Sequence, residues 1–378
     1  MAGIYVHIPF CGAKCVYCDF YSTVDAHDSF ARYIDAVLAE ARLRHGELQE
    51  PITTLYVGGG TPSVLPIEQL ARLVQGLREV FDLSQVVEFT VEVNPDDVTP
   101  SLAQALVRVG CNRVSMGIQS FDDGELKFMN RRHTAAQAVN AVRVLREAGI
   151  GNLSIDLIYG VPNQSMGTWL ANVEQVVALG VPHVSAYSLM YEQGTRLWAM
   201  RQVGKVKEIE EELSVGMYQV LVDKLSQAGF EHYEISNFAR HGYHSRHNSS
   251  YWNLTPYLGL GAAAHSYDGI VRRYNPNNYK SYMQLLLVEG RCAFEVEEMQ
   301  PWERYDEYVM LRLRTSCGIE SADLLQRFDP RFHDFFMTRV QKLNGTSLSL
   351  NHSDGRYWIA ENKVMLTDEI TRELLWEE

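Results

Sequence analysis

Cys11, Cys15 and Cys18 stand in the run His7-Ile8-Pro9-Phe10-Cys11-Gly12-Ala13-Lys14-Cys15-Val16-Tyr17-Cys18, a CxxxCxxC spacing. Three thiolates on one short loop can converge on an iron–sulfur cluster or a soft metal ion. Clusters are usually held by four cysteines, yet Asp19 and Phe20 come next. A [4Fe–4S] cube held by three thiolates leaves one iron open to a small molecule. Structural zinc is the competing reading; it needs a fourth ligand, and His7 is the nearby candidate. A disulfide framework does not suit six cysteines spread over 378 residues.

A loop of this kind needs a scaffold, and the sequence supplies a regular one. Short β-rich runs at Gly3–Ile8, Thr54–Val57, Glu88–Val93, Arg113–Ile118, Leu153–Ile158 and His183–Leu189 alternate with helix-length amphipathic segments. From the second onward they recur at spacings near thirty residues, one βα unit each, which predicts a parallel sheet curved into a partial (β/α) TIM-like barrel. A long helix is expected from about Glu208 to Ala228. Beyond residue 298, helices at Tyr305–Leu313 and Ser321–Phe328, then a hairpin pairing Tyr357–Ile359 with Val364–Leu366, suggest a small α+β, winged-helix-like unit. The expected division is 1–235 for the barrel, 236–297 for a connecting segment and 298–378 for the small domain.

Polar and glycine residues end the strands, where a barrel builds its active site. Gly58-Gly59-Gly60-Thr61-Pro62 exposes backbone N–H and C=O groups to a ligand; it is neither a P-loop nor GxGxxG. Glu92, Gln119, Arg131 and Asp156 can bind hydroxyls, an amino group or a carboxylate. Arg131 suits a carboxylate through its bidentate fork, although a solvated arginine at a helix start fits Asn130-Arg131-Arg132-His133 as well. Cys111, Cys292 and Cys317 lack metal-ligand spacing and read as free thiols.

Net charge is −13, which argues against a nucleic-acid partner, since phosphate binding needs a basic surface. No apolar run reaches the ~18 residues of a membrane span. The first segment lacks a basic n-region and reads as a strand, so a reducing cytoplasm is expected.

On Tyr5–Cys11 with its cysteine loop, Gly58–Pro62, Glu92-Val93-Asn94-Pro95, Gly117–Phe121, Asn130-Arg131 and Ile155–Gly160, the chain resembles radical S-adenosylmethionine proteins of the oxygen-independent coproporphyrinogen III oxidase group. The resemblance implies that Cys11, Cys15 and Cys18 hold a [4Fe–4S] cluster whose open iron takes the amino and carboxylate groups of S-adenosylmethionine. One-electron reduction there cleaves the sulfonium to a 5′-deoxyadenosyl radical. By the same resemblance Tyr5, Gly59 and Glu92 contact this molecule. Gly60, Thr61, Gln119, Arg131 and Asp156 match positions that line a second one in the oxidase, and Tyr17 lies against the cofactor.

The oxidases resemble CxxxCxxCxC, with a fourth cysteine where this chain has Phe20, and they carry an N-terminal extension where only ten residues precede Cys11 here. The run His247-Asn248-Ser249-Ser250-Tyr251-Trp252, an HNxxYW pattern, resembles instead the HemW-type heme chaperones. That family implies heme bound by His247, Asn248, Tyr251 and Trp252: imidazole ligates heme iron, the aromatic faces carry the porphyrin, and Arg240 or Arg246 pairs with propionates. The implied partners are heme, respiratory heme-accepting proteins and an electron donor, with a peripheral station at the inner membrane face. Oxidative decarboxylation of coproporphyrinogen III and radical methyl transfer are the alternative activities. His241, His244 and His247 fall at three-residue intervals, a weak metal-site signal.

Overall fold

The computed structural model of the chain describes residues 1–24 and 26–377. Its first half runs β1 (Ala2–Ile8), α1 (Phe30–Leu43), β2 (Ile52–Gly59), α2 (Ile67–Val80), β3 (Glu88–Val93), α3 (Pro100–Arg108), β4 (Arg113–Gln119), α4 (Asp123–Phe128), α5 (Ala135–Glu147), β5 (Asn152–Tyr159), α6 (Met166–Leu179) and β6 (His183–Ser188). The six strands pair in parallel and in chain order. Caps fix where several helices begin: Thr99 accepts from the Leu102 N–H ahead of α3, and Thr134 with Gln137 forms a capping box ahead of α5.

Strand alternation decides what each face of the sheet does. Ile4, Val6, Ile8, Leu55, Val57, Val91, Val114, Met116, Ile155 and Leu157 are at most 2% exposed and share one core with Leu73, Leu77, Leu106, Leu145 and Val173 of the helices. Each such side chain contributes about 1.5–3 kcal/mol on burial. The intervening residues point the other way and are almost all polar or aromatic: Tyr5 and His7, then Thr54 and Tyr56, Glu88, Thr90 and Glu92, Arg113 and Ser115, Ser154 and Asp156, His183 and Ser185. Barrel interiors are ordinarily filled by branched aliphatic residues. A polar interior here makes a site for polar ligands and a weak core.

The remaining strands extend both edges. After α7 (Arg196–Gln202) and α8 (Glu211–Gln227), β7 (Glu231–Glu234) and β8 (Asn237–Ala239) add antiparallel beside β6. Then α9 (Arg246–Trp252) leads to β9 (Tyr257–Leu260), which pairs parallel with β1, and to β10 (His265–Tyr267), β11 (Val271–Tyr274), α10 (Tyr279–Leu287) and β12 (Glu295–Glu298). The sheet order is β12-β11-β10-β9-β1-β2-β3-β4-β5-β6-β8-β7, whose outer strands do not pair with each other. With the right-handed twist of its strands, this is a partial barrel open along one side. The segment after residue 236, expected as a connection, in fact contributes most of the added sheet.

One buried ionic network fastens that extension to the barrel. Arg44, after α1, donates to Glu40 (2.7 Å), to the Gly259 carbonyl (3.0 Å) and to Ser266 (2.9 Å). Glu40 also accepts from Gly261 N–H (2.8 Å), Asn275 (2.7 Å) and Tyr282 (2.5 Å). Both charged side chains are nearly inaccessible, at 2% and 1%.

The C-terminal unit comprises α11 (Pro301–Leu313), β13 (Ile319–Glu320), α12 (Ser321–Arg327), α13 (Pro330–Leu343), β14 (Asn351–Ser353), β15 (Arg356–Trp358) and α14 (Thr367–Arg372), around its own core of Tyr305, Tyr308, Phe332 and Phe336. Helices α11 to α13 with the three-stranded sheet β13-β15-β14, whose first strand lies between α11 and α12, make this an α+β unit. The expected hairpin, however, is wrong in its partner. The strand containing Tyr357 pairs backward with β14 and on its other side with β13, while Glu361–Leu366 forms a 3₁₀ turn. Asp354 (φ 51) and Gly355 (φ 83) take the left-handed geometry that two-residue hairpin turns demand. No helix among the described residues is long and apolar enough to cross a membrane.

Candidate functional site

The cysteine loop leaves the end of β1 and folds over the ends of β2 and β4. Its three thiols are free and partly buried. Thr61 Oγ1 lies 3.5 Å from Cys11 Sγ, and Arg131 Nη1 lies 3.3 Å from Cys15 Sγ. Burial raises the Cys11 thiol and the Thr61 hydroxyl opposes that rise; such partners orient ligating groups. Gly60 is held close: a Cβ there would meet the Phe10 and Ile8 carbonyls at 2.8 and 2.9 Å and Cys11 Sγ at 3.0 Å. No group of three or more His, Cys, Asp or Glu among the described residues is arranged to hold a single metal ion. His7 does not serve as a zinc ligand in this arrangement. Its Nε2 meets the Tyr21 carbonyl (2.9 Å) and its Nδ1 the Tyr5 hydroxyl (3.0 Å), and burial pulls its pKa down to about 4.

Around the loop, the strand ends form one connected set. Arg131 Nη2 donates to Asn94 Oδ1 (2.7 Å) and to the Gly117 carbonyl, and Asn94 Nδ2 donates to Thr61 Oγ1 (3.3 Å). Arg131 Nε has no partner among the described residues. Gln119 sits beside Arg131, in a left-handed conformation (φ 72) at a bulge in β4, the kind of local strain that collects at functional sites. Tyr17 lies close to Arg131 and Cys15, and burial raises its hydroxyl pKa.

Glu92 and Asp156 project from β3 and β5 into the interior. Glu92 accepts from the Tyr56 hydroxyl (2.7 Å) and the Gly59 N–H (3.0 Å); Asp156 accepts from Ser115 (3.4 Å). Burial pushes Glu92 up to about 7, with Asp156 adding repulsion. Burial likewise pushes Asp156 up to about 6, against Ser185 and the Arg113 charge. Both carboxyls are thereby held above the usual carboxylate range.

Arg113 was missed as a site residue. It is 1% exposed, projects into the interior and leaves Nε and Nη1 without partners among the described residues. Its charge favours ionised Glu92 and Asp156 and opposes protonation of His183 and His247. Tyr56 and Ser115 were likewise passed over, and Asn94 was read only as part of the strand-end run Glu92-Val93-Asn94-Pro95. The signal that finds them is the polar member of each strand's alternation, once it is known which face looks inward.

The HNxxYW residues are elsewhere. α9 lies against the beginnings of β1 and β2, and Thr54 to Gly59 spans roughly 17 Å of strand, so the motif and the cysteine loop occupy opposite ends of the barrel. Glu88 accepts from the Arg246 and His247 N–H groups (2.9 Å each), pinning the helix N-terminus. His247 is 1% exposed. Its Nδ1 meets Thr54 Oγ1 (2.8 Å), its Nε2 meets the Tyr251 hydroxyl (2.9 Å), and its ring stacks on Tyr56. Burial, reinforced by Arg113, lowers its pKa to about 3. Both ring nitrogens of His247 are engaged by hydroxyls in this arrangement, so the heme ligation expected of it needs Thr54 or Tyr251 to be displaced. Asn248 contributes its backbone N–H to the Ser245 cap, and Tyr251 and Trp252 are half-buried. His241 and His244 both pair with Glu231, away from His247.

Comparison with known proteins agrees with this geometry. Residues 5–176 match the sequence profile of the Radical SAM superfamily. The heme chaperone HemW of Lactococcus lactis is 34% identical over 96% of this chain and 93% of that protein. The heme chaperone HemW of Bacillus subtilis is 31% identical over 97% of each. Coproporphyrinogen III oxidase (HemN) of Escherichia coli, described as a radical SAM enzyme, superposes with a TM-score of 0.85 at 23% identity, over 99% of this chain and 90% of that one, a likeness of fold. Radical SAM membership implies a [4Fe–4S] cluster and S-adenosylmethionine, and the thiols, the close approach at Gly60 and the unpartnered Arg131 Nε fit both. The chain belongs to the radical SAM superfamily and, within it, to the HemW family.

Proposed function

We propose that this protein binds heme and passes it to heme-accepting proteins, with respiratory heme proteins as the acceptors. The observation that carries this reading is the similarity to proteins named heme chaperone over essentially the whole chain, the C-terminal unit and α9 included. Phe20, 65% exposed, stands where the resembling oxidases have a cysteine and is consistent with a task other than decarboxylation.

Within this reading Cys11, Cys15 and Cys18 hold the cluster, with Thr61 and Arg131 supporting two of the sulfurs. Tyr5, Gly59 and Glu92 line the S-adenosylmethionine beside it; Tyr17, Gly60, Thr61, Gln119, Arg131 and Asp156 complete the pocket. Together, when bound, cluster and S-adenosylmethionine supply one-electron chemistry. Glu92 accepts an N–H of the amino group, and Arg131 presents its free Nε to a carboxylate.

The raised carboxyls give this pocket a pH signature. Folded pKa values above the unfolded ones favour the folded, ligand-free protein at low pH, a contribution lost as pH rises through about 6 to 7. Ligand binding runs the opposite way, because an N–H donor prefers ionised Glu92 as its acceptor. S-adenosylmethionine affinity is expected to rise by up to about tenfold from pH ~6 to pH ~8. Glu92→Gln should weaken binding and flatten the profile; an unchanged profile would remove Glu92 from this role.

Heme function is tested by titrating heme into the full chain with and without reconstituted cluster, then mixing the complex with a heme-free cytochrome. Transfer of heme to the cytochrome is expected. Conversion of coproporphyrinogen III to protoporphyrinogen by the same preparation would overturn the chaperone reading in favour of the oxidase activity.

A further inference from the structure

The environment of His265 contrasts with that of His247. It starts β10, is exposed, and neither ring nitrogen has a hydrogen-bond partner among the described residues. Its ring stands edge-on to Tyr274, with centroids 4.4 Å apart. Strand register places it on the inner face. It lies opposite Tyr274 on β11, and its neighbour along that face, Tyr267, pairs with Tyr257, which in turn pairs with Gly3 of β1.

Beside it opens a cavity of ≈ 250 Å³ whose walls include Tyr251, Tyr257, Tyr267, His265, Arg272 and Leu311. Three tyrosine rings with Leu254 and Leu311 give the cavity apolar walls, and the imidazole stands among them with its nitrogens free. Tyr251 is shared: its hydroxyl engages His247, while its ring packs edge-on to Tyr257 at 4.7 Å and forms a cavity wall. Arg272 supplies a guanidinium, held by Glu307, and Glu297 is bonded by Tyr274, so one cation and two carboxylates border the slot. The volume admits one edge of a porphyrin and leaves the rest uncovered, which suits a carrier that must give its cargo up.

We propose that heme docks in this slot with His265 as the axial ligand of its iron, and that the HNxxYW segment contributes Tyr251 as a wall in place of His247 as a ligand. The proposal rests on the heme-binding reading above. Imidazole is a common axial donor, and a ligand with free nitrogens at an open cavity needs no rearrangement to reach the metal.

The test titrates ferric heme into the full-length wild-type chain and the His265→Ala, His265→Gln and His247→Ala variants, following the Soret band and the electron paramagnetic resonance of the iron. For both His265 variants, roughly tenfold or greater loss of affinity is expected, with the histidine-ligated signature gone and restored to His265→Ala by free imidazole. His247→Ala should keep that signature while melting at lower temperature. A wild-type spectrum and affinity in His265→Ala and His265→Gln would overturn the assignment and leave heme binding itself standing. So would loss of the signature in a folded His247→Ala. Absence of any complex with the wild-type chain would overturn the functional reading, and the assignment with it.

Discussion

Substituting serine for Cys11, Cys15 or Cys18, one at a time, is expected to reduce iron and acid-labile sulfide in the anaerobically reconstituted protein to near background. The charge-transfer absorption of the cluster should go with them. A hydroxyl is a poor ligand for iron in such clusters compared with thiolate, and three donors leave no spare to absorb the loss. The control is Cys317→Ser, an exposed thiol remote in sequence from the loop, which should reconstitute like the wild type. Retention of full iron by any of the three loop variants would refute the assignment of that cysteine. Arg131→Ala should give a graded effect: the cluster assembles, but without the guanidinium 3.3 Å from Cys15 Sγ it is more readily lost.

The second large effect is structural and reaches function through the sheet extension. Arg44→Met is expected to destabilise the protein by about 3–5 kcal/mol, because it leaves the Glu40 carboxylate buried without its cation. Glu40 is 1% exposed and also gathers the Gly261 N–H, Asn275 and Tyr282, so it cannot simply swing to solvent. Arg44→Met combined with Glu40→Leu should recover only part of the loss, since those three donors then lose their acceptor. Urea unfolding of the three proteins measures this. A single-mutant loss under ~1 kcal/mol would mean that the network does not hold β9 and β10 to α1. If it does, heme affinity should fall with stability, for the slot beside His265 is built on those strands.

Much of the barrel is legible in the linear sequence because the apolar members of each strand alternate with polar ones and the helices between carry a 3.6-residue period. The six parallel strands lie where that pattern places them. The hairpin error shows the limit: Tyr357-Trp358-Ile359 looks like a strand in isolation, but its partner was set by Asp354-Gly355, a turn read only once both residues are seen in left-handed backbone. The extension of the sheet by β9 to β12 was hidden for a related reason. Strands of three or four residues give too few alternations to separate from loop, and their pairing with β1 spans some two hundred and fifty residues of chain.

Site residues divide along the same line. The CxxxCxxC spacing and the strand-end sequences announce a cluster loop and a ligand face because those residues are neighbours in sequence or recur at strand ends. Arg113, Tyr56 and Ser115 were invisible, since a polar residue at the start or middle of a strand carries meaning only after its face is known. His247 and His265 make the sharpest contrast. Sequence singles out the first, in a conspicuous motif, and carries the second only at the end of the run Pro256–Ser266 that follows it, with no role attached.

By itself, then, the sequence determined the scaffold, the cysteine loop and the family, because local spacing and strand periodicity encode them directly. Only the tertiary structure decided that both nitrogens of His247 are engaged while those of His265 are free. The packing of α9 beneath the barrel, where Thr54 and Tyr251 take up both nitrogens of His247, depends on contacts between residues nearly two hundred positions apart. Availability of a lone pair is a property of neighbours, and neighbours of that kind exist only in the folded chain.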